Sequence, residues 1–102
     1  MKGVNKVGLT ADIAVDAAAR VMDLAEDGDS FTAYDVTLWL RDQMGRNTHV
    51  SHEIVKAAVH ATMAAIGKDF GYNWKPQQFG DKTARLYYQA GAESIRCFAR
   101  ID

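Results

Sequence analysis

Cysteine is almost missing from this chain: Cys97 stands alone among 102 residues. That excludes an intramolecular disulfide and a zinc site built on several thiolates, and it sets the expectation of a reducing, cytoplasmic protein. No apolar run approaches the ~20 residues that cross a bilayer. The opening MKGVNKVG has no hydrophobic signal core, so no membrane role is expected. Proline occurs once, at Pro76. Internal repeats, low-complexity tracts and linkers are also missing, and so is any glycine-rich phosphate loop or pair of carboxylates in a plausible cleft. Ser51 and His52 are neighbours on a helical pattern and point apart, so they form no nucleophile–base pair. The expectation is a protein that is not an enzyme and carries no cofactor.

Metal chemistry is equally poorly provided for. His52 and His60 lie eight positions apart, ~12 Å along a helix axis, too far to share an ion. His49 and His52 are closer, but no cysteine or carboxylate cluster completes a tetrahedron around them. The acids of Glu26-Asp27-Gly28-Asp29-Ser30 lack the alternating oxygens and distant glutamate of a calcium loop. That stretch reads as a polar turn.

What is present suits one domain. The chain is 48% hydrophobic and 25% charged, and at this length about two-thirds of the unfolded surface can be buried in a single modest core. The net charge of −1 conceals a gradient: Asp and Glu dominate up to Asp35, Lys and Arg after it. A basic C-terminal part points toward a polyanionic partner.

Three helical periods follow one another. Residues 1–9 read as a flexible lead-in. Thr10 is then an N-cap with Asp12 in the first turn, and Ile13, Ala17, Val21, Leu24 and Ala25 form the buried stripe. Phe31 opens the second helix. Thr32 and Asp35 are spaced for a capping box, Phe31 and Val36 for a hydrophobic staple, with Trp39, Leu40 and Met44 inward and Gly45 as the stop. The third spans residues 50–67, with Ser51 as N-cap, Glu53 in the first turn, Val55, Val59, Met63 and Ile66 inward, and Gly67 as a left-handed stop.

After residue 67 the period changes to two. Residues 72–75 and 84–89 are aromatic-rich and alternate as strands do, with Gly80-Asp81 the tip between them. Pro76 predicts that the first strand is short or at an edge. Trp74, Leu86 and Tyr88 are the expected packing residues, and a short strand around residues 30–32 would pair with the hairpin. Residues 92–102 form a C-terminal extension, helix or strand.

Three helices followed by an aromatic hairpin give an α+β fold that resembles a winged helix-turn-helix domain over residues 10–91. The resemblance is carried by Phe31-Thr32-Ala33-Tyr34-Asp35-Val36, by Val50-Ser51-His52-Glu53-Ile54-Val55, and by residues 72–89 as the wing. It implies duplex DNA as partner, the third helix entering the major groove and the hairpin touching an adjacent groove or the backbone. Ser51, His52, Lys56, Ala57 and His60 would then meet base edges or phosphates. Arg46, Asn47 and His49 in the turn, with Lys75, Lys82 and Arg85 on the wing, would meet phosphates. The role implied is a small transcriptional regulator. The same fold also serves as a protein-docking module, with a protein partner or a homodimer as the alternative. A single positive surface joining His52, Lys56 and His60 to Lys75, Lys82 and Arg85 favours DNA; Ala57, Ala61 and Ala64 beside exposed aromatics favour a protein.

Overall fold

The stripe at residues 13 to 25 is the face that the first helix buries. The computed structural model describes residues 2–45 and 49–89, with side chains from residue 11 onward. In it α1 spans Lys2–Asp27, and Ile13, Ala17, Val21, Leu24 and Ala25 all lie in the core. The helix starts earlier than the cap signal suggests. Thr10 and Asp12 lie inside it, not at its entrance, and residues 2–9 are helical and not a loose lead-in. No proline interrupts this stretch, and glycine within a helix costs only about 1 kcal/mol, so Gly3 and Gly8 do not stop it.

α2 spans Ala33–Met44 and begins with the expected capping box. The Asp35 N–H donates to the Thr32 hydroxyl at 3.2 Å, and the Thr32 N–H donates to the Asp35 carboxylate at 2.8 Å. Phe31 and Val36, at the staple positions, are both buried. Gly45 ends the helix, its N–H bonded to the Arg41 carbonyl at 3.2 Å. Arg41 also ties α2 to the next connection, its guanidinium 3.4 Å from the Val50 carbonyl.

α3 spans His52–Ile66 and buries Val55, Val59 and Met63. Ser51 occupies the N-cap position, yet its hydroxyl makes no capping bond. It is only half-buried, so water can serve the orphan N–H groups instead. Gly67 is right-handed at φ −54°, not left-handed, and its N–H continues the helical pattern to Met63 at 2.8 Å. The reversal falls four residues later at Gly71, φ 74°, where a side chain would be strained.

The hairpin pairs β1, Tyr72–Phe79, with β2, Lys82–Gln89, antiparallel from Tyr72↔Gln89 to Phe79↔Lys82. Its tip is the expected Gly80-Asp81, with Gly80 at φ 61°, the first-position glycine of a tight hairpin turn. Both strands run longer than the alternation suggested, and Pro76 lies within β1 opposite Arg85. The register explains this. Tyr87 turns its N–H and C=O away from β1 toward Phe31, so the Trp74↔Tyr87 and Pro76↔Arg85 pairs are non-hydrogen-bonded. The N–H that proline lacks would have faced solvent.

Hairpin packing differs from expectation by one position on β2, and on β1 by two positions along the same face. Tyr72 and Tyr87 are the buried residues; Trp74 is 48% exposed, and Leu86 and Tyr88, on the face opposite Tyr87, are half-buried. In a strand, a shift of one residue exchanges the two faces. Tyr72 is suited to the interior because its hydroxyl reaches the Asp29 carbonyl at 2.6 Å and the Leu24 carbonyl at 3.2 Å, at the exit of α1. The extra strand near residues 30–32 is a single bridge: Phe31 N–H to Tyr87 O at 3.0 Å and Tyr87 N–H to Phe31 O at 2.8 Å. The Phe31 ring lies 5.5 Å from Tyr87 and 5.9 Å from Tyr72. The extension at residues 92–102 lies outside the described residues.

Two stability changes follow. Thr32→Ala removes half of the capping box and lowers the free energy of unfolding by about 1 kcal/mol. The Tyr87 hydroxyl is buried without a partner among the described residues, so Tyr87→Phe keeps the ring packing and leaves stability equal or higher, by up to about 1 kcal/mol. Urea denaturation of both variants against the wild type measures each change.

Candidate nucleic-acid interface

Because Phe31 fastens β2 at Tyr87, the strand beyond that point runs past the start of α2 and along α3. A groove of about 510 Å³ opens there. Ala33 and Tyr34 line it from α2, His52, Glu53, Lys56 and His60 from α3, and residues 82–85 from β2. A second hollow of about 500 Å³ shares Tyr34, His52 and Lys82 with it and adds Phe79 at the hairpin tip. Further along α3 a smaller one of about 210 Å³ includes His60, Ala64, Lys68, Trp74 and Arg85. None of the three is lined by a described side chain of α1, so Asp12, Asp16, Asp23 and Asp27 of that helix do not border them.

The groove is positively charged. Lys56, Lys82 and Arg85 are exposed at its walls, and Glu53 is the one carboxylate among the described residues lining it. Burial pushes the His52 imidazole below its ordinary value; Lys56, Arg41 and Lys82 push the same way, against an upward pull from Glu53. Burial also lowers His60, with Arg85, Lys56 and His52 adding to it. Each histidine therefore feels cations from more than one element, as expected of a shared field. The Arg85 guanidinium lies 4.3 Å from the centre of the Trp74 ring, a cation–π contact beside the groove.

The residues expected at a DNA interface divide accordingly. His52, Lys56, His60, Lys82 and Arg85 come together in the groove. Lys82 belongs by alternation to the face of Lys75, and reaches the groove at the tip, beside Tyr34 and His52. Lys75 does not join them: its ammonium lies 5.2 Å from the centre of the Tyr88 ring, on the strand face opposite Arg85. Ser51 is half-buried and His49 exposed, and neither lines the groove. Arg46 and Asn47 lie outside the described residues.

Sequence reasoning missed Tyr34 and Thr37. Tyr34 is 49% exposed and meets the His52 ring edge-on at 5.8 Å. Thr37 is fully buried, and its hydroxyl lies 2.8 Å from His52 Nδ1 and 3.1 Å from the Ala33 carbonyl. The available signal was a lone hydroxyl in a stripe otherwise made of Ala33, Val36 and Leu40.

Both surface criteria are met in part. The cations of α3 and β2 line up, and Ala57, Ala61 and Ala64 are exposed as well, with Ala64 and Trp74 sharing the smallest hollow. In comparisons with known proteins, no family model matches the chain and no curated protein matches it. Three packed helices followed by an antiparallel hairpin are consistent with winged-helix architecture. Among the described residues no helix is long and apolar enough to cross a membrane.

The lowered histidines fix the sign of a pH effect. A histidine whose folded pKa lies below its unfolded value leaves the unfolded chain holding more protons as pH falls through about 6.5. Stability therefore decreases on acidification from pH 7.5 toward 5.5. Replacing both His52 and His60 by glutamine flattens the dependence of the urea midpoint over that window.

Proposed function

We propose that this protein binds duplex DNA through α3 and the β2 side of the hairpin, as a small transcriptional regulator. The observation that carries the reading is the convergence of Lys56, Lys82 and Arg85 on one groove with a single carboxylate among the described residues that line it. Cations at such a surface neutralise phosphates and release condensed counterions, the sequence-independent part of affinity. The exposed alanines of α3 let its backbone approach a groove floor closely. The helix carries no Arg, Asn or Gln to fork onto a base, so backbone contacts dominate and readout rests on few side chains.

Gel shifts with a random duplex at a series of salt concentrations test this. With phosphate contacts from Lys56, Lys82 and Arg85, log K falls against log[salt] with a slope of about −3, and Lys56→Ala/Arg85→Ala brings it to about −1. Undetectable binding by both proteins at low salt removes the assignment. A docking role for a protein partner or homodimer is favoured by another feature, the exposure of Tyr34, Trp74 and Phe79, each about half accessible. Concentration-dependent sedimentation that Trp74→Ala abolishes, with no duplex binding, selects that reading instead.

A further inference from the structure

The contact between Thr37 and His52 has a consequence for what the groove recognises. Thr37 Oγ1 has one proton and two close neighbours, the Ala33 carbonyl at 3.1 Å and His52 Nδ1 at 2.8 Å. A carbonyl can only accept, so satisfying both contacts requires the hydroxyl proton to go to Ala33. The hydroxyl lone pair must then receive a proton from Nδ1. The opposite arrangement aims two lone pairs at each other at a fully buried threonine, where water offers no compensation. His52 is thus held with its proton on Nδ1. Its other nitrogen, Nε2, is left as an acceptor on a ring that lines the groove and stands edge-on to Tyr34.

We propose that Thr37 fixes His52 as the Nδ1–H tautomer, so that Nε2 is a bare acceptor that reads an amino base, adenine or cytosine, on one strand of a duplex docked against α3. The base-reading half rests on the DNA-binding function proposed above. In the major groove adenine and cytosine present an exocyclic amine and guanine and thymine a carbonyl, so every base pair has its amine on one strand only. A neutral imidazole held this way separates amino from keto bases and not A·T from G·C. The first residue of α3 is well placed to do so, since recognition helices read bases with their N-terminal residues. The charged groups around the ring are Arg41 from α2, Glu53, Lys56 and His60 from α3, and Lys82 from β2, with the Tyr34 phenol beside it. Burial, and then the cations, oppose protonation of the ring in the free protein. A docked polyanion would neutralise them, so base reading is tested at pH 8, where the ring is neutral.

The test has two arms. In the first, nitrogen-15 NMR of histidine-labelled protein at pH 8 reports which ring nitrogen carries the proton, with the His52 signals assigned by their loss in His52→Gln. Wild type shows Nδ1–H, and Thr37→Val, with folding checked by circular dichroism, shifts His52 toward Nε2–H. In the second, binding sites are selected at pH 8 from a duplex pool randomised over a short window. One position favours A or C over G or T on a given strand by about three- to tenfold, the worth of one hydrogen bond. His52→Ala loses that preference and keeps the salt slope of the wild type. A wild-type His52 protonated on Nε2 overturns the proposal whether or not DNA binds. Binding without an amino–keto preference, in a protein with the Nδ1–H form, overturns the reading role. The Nδ1–H form with no duplex bound at low salt also overturns it, through failure of the DNA-binding function and not of the tautomer.

Discussion

The pair of backbone hydrogen bonds between Phe31 and Tyr87 is what makes a groove out of three helices and a ribbon. A two-stranded hairpin is marginal by itself in water. Here the third strand is a single residue, joined by bonds of 3.0 and 2.8 Å and reinforced by a ring contact at 5.5 Å. Phe31 is also the residue before the α2 cap, so the element that anchors β2 fixes the entry of α2 as well. The outcome is directional. Since Tyr87 directs its outward N–H and C=O to Phe31 and α2 begins at Ala33, β2 from Arg85 to the tip has no strand on its outer side among the described residues and instead faces Tyr34 and the first turns of α3.

How much of this could be read beforehand depended on whether a signal was local. The capping box at Thr32 and Asp35, the α1 stripe and the Gly80-Asp81 tip each involve residues within a few positions of one another, and their geometry follows from the chain itself. The helical class of residues 2–9 was hidden because the cap signal at Thr10 was chemically good, while an uninterrupted helix was also sterically permitted. Ser51 illustrates the reverse: the right residue at the right position makes no bond, because a half-exposed helix start has water as an alternative. The hairpin faces were missed for a non-local reason. Alternation shows that Tyr72, Trp74 and Tyr87 share one face and Leu86 and Tyr88 the other, but not which face meets the core. Tyr72 decides that through carbonyls of Leu24 and Asp29, more than forty positions away.

The candidate site divides in the same way. Lys56, Lys82 and Arg85 were legible as cations on the right elements, and their meeting in one groove depends on the Phe31 anchor. Lys75 shows the limit of counting charges: one position of strand alternation separates it from the face of Arg85, and it settles against Tyr88. Thr37 was invisible as a site residue because its side chain is wholly buried, and buried residues on an amphipathic helix are normally read as packing. Its effect reaches the surface only through His52.

The electrostatics of the groove also bear on the two functional readings. A docking face for a protein gains most from desolvated apolar area, and Trp74, Tyr34 and Phe79 supply some of it. Yet Trp74 is covered on one side by the Arg85 guanidinium at 4.3 Å, and Tyr34 contacts His52, so these rings already support polar neighbours. An apolar partner would have to bury those neighbours without replacing their hydration. A phosphate backbone would pair with the same cations while leaving the rings where they are. Two histidines held toward their neutral forms by burial, and further by the surrounding cations, make a further distinction: an anion that cancels the cations' field acts to raise their proton affinity, whereas an apolar partner adds burial and lowers it further. The direction in which His52 and His60 titrate on complex formation therefore reports on the chemical nature of a partner seated against them.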